Sequence, residues 1–342
     1  MIAVFDGHND ALTAQEYGAL AGGRSVGHLD LPRMQAGGMR GGIFSIFTDS
    51  VGRHDERLAR DDGVIEFAIA PVVEQPAAAA HATEAAGRLL ALERAGALRV
   101  ARRTVDIDAA RAGEGPPVAV MHLEGAEAID PDLHALDLWY AAGLRSLGPV
   151  WSRPNVFGHG VPFVSPSSPA IGPGLTDAGT ALVRRCAELG ILVDLSHLNE
   201  AGFWDLERLS LAPLVVSHSA AHALCPTSRN LTDRQLDAIA ATEGLVGIVF
   251  SCPFLRRDFK RDENTPMQLI VDHARYVAER IGVRHVAFGS DFDGTTIPKP
   301  LGDVTGLPRL LDAFAGAGFA EQEIAAIAWD NWRRVLNASW SE

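Results

Sequence analysis

Six residues spread along the chain have types and spacings that could bind divalent metal and move a proton: His8, Asp10, Glu124, His197, His218 and Asp291. His8 and Asp10 stand two apart in "AVFDGHNDAL" (3–12), directly after a short apolar run. Side chains two apart on a strand project to one face, so both could reach one ion. His197 ends "ILVDLSH" (191–197), and His218 sits in "PLVVSHS" (213–219), one strand-plus-helix unit later. Neighbouring strands lie about 4.8 Å apart, so both imidazoles could reach a second ion. Glu124, in "VAVMHLEG" (118–125), would fall between the two sets and could give one oxygen to each ion. Asp291, in "HVAFGSDFDG" (285–294), would join His8 and Asp10 where a last strand closes on the first. Three imidazoles and two carboxylates suit Zn²⁺, with Mn²⁺ or Co²⁺ as substitutes.

Each residue alone has a plainer use. Asp10 could cap a helix starting at Ala11, and Glu124 could be a solvated loop carboxylate. His197 could stand idle at a helix start, and His218 could be a hydrogen-bonded core histidine. Asp291 could form a turn, the reading kept for Asp293. Jointly, five strand ends would have to carry such residues by chance.

Elements must exist to position them. Eight β-branched or apolar runs recur, at 2–5, 41–47, 118–125, 143–151, 191–197, 213–219, 244–251 and 285–294. Between them lie helix-like segments such as 55–70, 79–98, 176–190, 232–243 and 265–282. Thr176-Asp177 and Thr232-Asp233 read as helix caps. Eight alternations predict an α/β fold, a (β/α)8 TIM barrel, as one domain over 1–342. A doubly wound sheet is the rival, but no GxGxxG or GxxxxGK loop supports it. The Gly- and Pro-rich stretch 148–175, with Arg153, Phe157, His159 and Phe163 embedded, reads as a loop covering the active site, or as a structural Ω-loop.

Of 342 residues, 47% are hydrophobic, enough for a large core. A formal charge of -13 and the lack of any basic stripe argue against a nucleic-acid partner. Cys186, Cys225 and Cys252 are scattered without a CxxC pair, which fits buried thiols in a reducing compartment. No signal-like start, membrane-length apolar run or hydrophobic C-terminal tail stands out, so no membrane association and a cytoplasmic location are expected.

At these residues the sequence resembles the membrane (renal-type) dipeptidases, zinc metallopeptidases within the amidohydrolase-like barrels. The matching stretches are "DGHND" (6–10), "HLEGAEAI" (122–129), "GLTDAG" (174–179), "VDLSH" (193–197), "VSHSAAHAL" (216–224), "RN" (229–230) and "GSDFDG" (289–294), with "NWRRVL" (331–336) a weaker tail match. The resemblance implies a barrel of the metallo-dependent hydrolase type and two Zn²⁺. His8 and Asp10 would hold one ion, His197 and His218 the other, and Glu124 would bridge. It makes Asp291 the catalytic acidic residue and Arg229 the residue that holds a substrate carboxylate. The implied substrates are dipeptides, with a D-residue tolerated at the C-terminal position.

Two positions depart from that pattern. Trp151 stands where many members have a histidine contacting the scissile carbonyl, and Ser251 where many have a tyrosine. His159 could supply the missing imidazole, or could be a surface histidine. The altered pocket leaves a related hydrolase of another amide or a lactone as the runner-up. A non-catalytic metal-dependent binding protein is a third reading. The residues leave the oligomeric state open, a homodimer included.

Overall fold

Eight short parallel strands form the frame of the molecule, in a computed structural model that describes residues 2–14, 16–50, 57–59, 63–211 and 213–340. They are β1 (Val4–Asn9), β2 (Met39–Phe47), β3 (Val118–Glu124), β4 (Leu144–Gly148), β5 (Leu192–Val193), β6 (Val215–Ser219), β7 (Leu245–Ile248) and β8 (Val286–Phe288). Every residue of β1, β3, β6, β7 and β8 is buried. Burial on both faces explains why these segments read as continuous apolar runs rather than alternating ones.

Strands β1 to β5 pair in order as one parallel sheet, and β6 to β8 as a second. Two isolated parallel bridges join them, Asp194 with Val215 and Asn9 with Phe292. Leu195 donates its N–H to Val215 O at 2.9 Å, and Asp291 donates to His8 O at 3.0 Å. The two curled sheets thereby close into the (β/α)8 ring, which brings β8 beside β1.

Helices return the chain between strands, and local chemistry sets their starts. The Thr176 side chain accepts from Gly179 N ahead of Asp177–Leu189, and Asn199 accepts from Gly202 N ahead of Glu200–Leu209. Thr232 and Gln235 form a capping box at Asp233–Ala241. Helices Gln75–Arg94 and Gln268–Ile281 answer the expected segments 79–98 and 265–282. The segment 55–70 differs. Residues 55, 56 and 60–62 lie outside the described residues. The rest holds strands Arg57–Ala59 and Ile65–Phe67, and the second pairs antiparallel with Val164–Ser165 of the 148–175 stretch. A partner a hundred residues away overrides the local helical pattern.

Two apolar layers result. The outer one packs helices on the sheet. The inner one gathers Phe5, Ile43, Val120, Leu192, Val215 and Leu245 from the strands and seats Trp329, Trp332 and Trp340 under them. Phe5 meets the Trp329 ring edge-on at 5.5 Å, and Trp332 Nε1 donates to Phe288 O at 2.8 Å. A Cβ at Gly7 would overlap the Trp332 ring, so the glycine of "DGHND" belongs to this floor. Among the described residues, no helix is long and apolar enough to cross a membrane.

One buried histidine ties the outer layer to pH. His273 Nδ1 accepts from Ala221 N at 3.0 Å, so the proton sits on Nε2, which donates to Leu255 O at 3.1 Å. Burial pushes its pKa down to about 4. The unfolded chain therefore binds the extra proton first as pH falls, and the stabilisation present above about pH 6.5 is lost towards pH 4. The expected loss is about 3 kcal/mol. Urea unfolding at pH 7.5 and pH 4 should show His273→Asn with a smaller acid-induced drop than the parent chain.

Candidate active site

The ring carries its polar residues at one end, where the strands' C-termini open. His8 Nε2 lies 3.7 Å from Asp10 Oδ2 and 3.6 Å from Glu124 Oε1. Glu124 Oε1 lies 2.9 Å from His197 Nε2 and 3.7 Å from His218 Nε2, and those two Nε2 atoms are 3.0 Å apart. Ligand atoms of Glu124, His197 and His218 form one tight group, and those of His8, Asp10 and Asp291 another. Six residues from five strand ends thus converge on one spot. All but the half-buried Asp291 are buried.

Polar neighbours fix how the rings point. Ser217 Oγ donates to Asp194 Oδ2 at 2.5 Å and therefore accepts from His218 Nδ1 at 2.8 Å. That assignment leaves His218 Nε2 with a bare lone pair facing the cluster. His197 Nδ1 meets Ser152 Oγ at 2.7 Å, so its Nε2 also faces inward. Asp194 also accepts from the backbone N–H groups of Ser196 and Ser217, at 3.1 and 2.8 Å. Asp6 accepts from Ser290 N and Oγ at 2.7 and 2.8 Å, which holds the turn carrying Asp291 against β1. Asn9 donates to Ile43 O at 3.1 Å and so ties β1 to β2. Asp291 and Asp293 have φ of 60° and 71°, and a Cβ at Gly294 would overlap both Asp10 Oδ2 and Asp291 Oδ1.

Charges in the cluster are strongly coupled. Burial works against Glu124, yet the imidazoles of His8 and His197 hold it well below the usual carboxylate range. Burial likewise opposes charge on His8, but Glu124 and Asp10 raise it well above an ordinary imidazole. Burial and the proximity of Asp10 push Asp291 well up. Burial and the Arg229 charge lower His197 to about 4, and burial and His8 lower His218 well below its ordinary value. Both His8 ring nitrogens and Asp10 Oδ1 are buried without a hydrogen-bond partner. Orphaned buried acceptors beside bare imidazole lone pairs are the donor set a divalent cation satisfies.

The cluster floors a cavity of about 380 Å³, a size usual for small-molecule sites. Arg229 reaches it from the β6–β7 connection, with its guanidinium donating to Ser196 O and, at 3.3 Å, to His218 O. Its Nε is buried and unpartnered, and burial lowers its pKa to about 10. Trp151 lines the cavity, 4.9 Å from the Phe47 ring and 5.7 Å from the His197 ring. Two expected pocket residues are not among the lining. His159 turns its Nδ1 to Gly174 O at 3.4 Å, and buried Ser251 bonds Thr295 Oγ1 at 2.8 Å, so only Thr295 faces the space. Neighbourhood in sequence does not specify which way a loop residue turns.

Other residues support the site in ways the sequence did not announce. Arg153 is fully buried, paired with Glu127 Oε1 at 2.9 Å, and donates to Ser50 Oγ and Thr48 O at 3.0 and 2.6 Å. It pins the ends of β2 and β3 to the segment bearing Trp151. Asp293, read as a turn former, also accepts from His28 N and pairs with buried Arg24. Phe67, Phe254 and Phe259 line the cavity from segments far apart in the chain.

Comparison with known proteins agrees with this arrangement. The family model described as membrane dipeptidase (peptidase family M19) matches residues 1–340. An uncharacterized protein in the pqqA 5' region of Klebsiella pneumoniae is 46% identical over 249 residues, 72% of this chain and 91% of that protein. A Claviceps purpurea protein named dipeptidase tcpJ is 32% identical over 65% of this chain and 51% of its own length. Among solved structures, a dipeptidase described as an M19 metallo peptidase is 45% identical with a TM-score of 0.92, covering 100% of this chain and 99% of that one. A Rhodobacter sphaeroides metallo peptidase, liganded with a phosphinate mimic of L-Ala-D-Ala, is 43% identical with a TM-score of 0.92, covering 99% of both chains. The chain belongs to the membrane dipeptidase family, peptidase family M19, and is a metallopeptidase acting on dipeptides.

Proposed function

We propose that the enzyme uses two Zn²⁺ ions to hydrolyse dipeptides and accepts a D-residue at the C-terminal position. The reading rests most on one observation: the ligand atoms of His8, Asp10, Glu124, His197, His218 and Asp291 fall into tight donor groups beside a cavity that buried Arg229 also lines. His8, Asp10 and Glu124 would hold one ion, and Glu124, His197 and His218 the other. The Rhodobacter relative's phosphinate ligand supports the stereochemistry.

Bound ions would polarise the scissile carbonyl and acidify water. The chain's own groups do the rest. Arg229 takes the substrate carboxylate in a charge-assisted pair, which fixes the register of the peptide bond. Asp291, whose raised pKa suits proton exchange, accepts a proton from the attacking water and delivers it to the leaving amine. Trp151 and Phe163, in the 148–175 stretch, cover the His197 side and exclude bulk water. Three free, buried cysteines support a reducing cytoplasmic setting.

Elemental analysis of purified protein should find about two zinc ions per chain, and chelation should abolish L-Ala-D-Ala hydrolysis. Undiminished turnover after complete metal removal would sink the reading.

A further inference from the structure

The cavity is chemically two-sided, and the division follows the strands. On the β8, β1 and β2 side its lining is acidic, with Asp293, Asp10 and Asp49. On the β6 and β7 side lie Arg229 and an aromatic wall built from Phe67, Phe163, Phe254 and Phe259. The rings support one another: Phe163 lies 5.8 Å from Phe254, Phe254 lies 6.1 Å from Phe259, and Phe259 lies 5.7 Å from Phe67. With Val249 and Ala220 they form a small core of their own, separate from the two barrel layers. The Arg229 guanidinium carbon stands 5.3 Å from the Phe254 ring centre. The cationic anchor and the rings are one continuous surface.

We propose that this wall selects the side chain of the substrate's C-terminal residue and favours large apolar groups there. The inference rests on the dipeptide reading above. A dipeptide carries a free carboxylate at its C-terminal end, and Arg229 draws it. The carbon bearing the C-terminal side chain is one bond from that carboxylate. Held by Arg229, it stands beside Phe254, and its side chain extends along Phe163, Phe259 and Phe67. An apolar side chain leaves water there and packs on ring faces. A charged one loses hydration against rings that offer no hydrogen bond. Among the described residues of this side, Arg261 competes. It lies 4.7 Å from the Phe67 ring centre and lines the cavity, where it could attract an acidic side chain instead.

The test measures kcat/KM on metal-replete enzyme for L-Ala-Xaa dipeptides in both the L and D series, with Xaa as Ala, Leu, Phe, Asp and Lys. Leu and Phe should exceed Ala, and Asp and Lys should fall below it, by about tenfold or more, the scale of a methylene-sized difference in an apolar pocket. Phe254→Ala should reduce the ratio of the Phe to the Ala substrate, chiefly through KM. A flat profile, or a preference for Asp handing the selection to Arg261, overturns the inference while leaving the dipeptidase reading intact. If no dipeptide of either series is cleaved, the functional reading itself fails and this inference goes with it.

Discussion

Asp291→Asn should lower kcat for dipeptide hydrolysis by about 10²- to 10⁴-fold, the usual contribution of a positioned general acid–base, while leaving bound metal in place. The substitution keeps shape and removes only the ability to carry the proton. Asp291 is well placed for that single duty. Its backbone N–H is fixed to His8 O at 3.0 Å, its φ of 60° is held by the "GSDFDG" turn, and Ser290 before it is locked by Asp6. Its carboxylate shares one donor group with His8 and Asp10, where it can exchange a proton with water at the site. Stopped-flow or steady-state assays, paired with elemental analysis, separate the two effects. Full turnover with full metal content would remove Asp291 from the proton path.

Glu124→Gln should act differently, on metal rather than on the proton. A single Glu124 oxygen lies between 2.9 and 3.7 Å from Nε2 of His8, His197 and His218, so one charge serves both donor groups. Glutamine keeps the volume but surrenders that charge. Outer partners of metal ligands already change affinity by about 10- to 100-fold, and a shared ligand should cost at least the upper end. Competition against a chelator of known affinity reads the loss directly. Retention of both ions at parental affinity would show that Glu124 bridges nothing.

What the sequence disclosed follows from what lies close along it. The strands carry short apolar runs because the sheet is covered on both faces, and the donors sit at or just past the strand ends, so strand order alone brought His8 to Glu124 and His197 to His218. The capping residues Thr176 and Thr232 were equally legible, since a cap is a contact three residues long. What the sequence did not disclose involved distant partners. The stretch 55–70 carries a helical pattern, but its Ile65–Phe67 is pulled into a strand by Val164–Ser165. His159 and Ser251 stand near the site in sequence and turn aside in space. The Arg153–Glu127 pair and the ring wall join segments that no local pattern connects.

The indole floor has a consequence in time. Chains are made at roughly 5–20 residues per second, and β1, with His8 and Asp10, is made before the other seven strands. Its neighbour β2 follows within seconds. Its other neighbour β8, and the Trp329 and Trp332 rings that shelter Phe5, come only after the other strands have been synthesised. For most of that interval one edge of β1 and the underside of Phe5 face water, or whatever holds the nascent chain. Closure of the ring and sealing of its base are therefore joint events that follow the other strands, and His8 and Asp10 wait for the helix that carries Trp332.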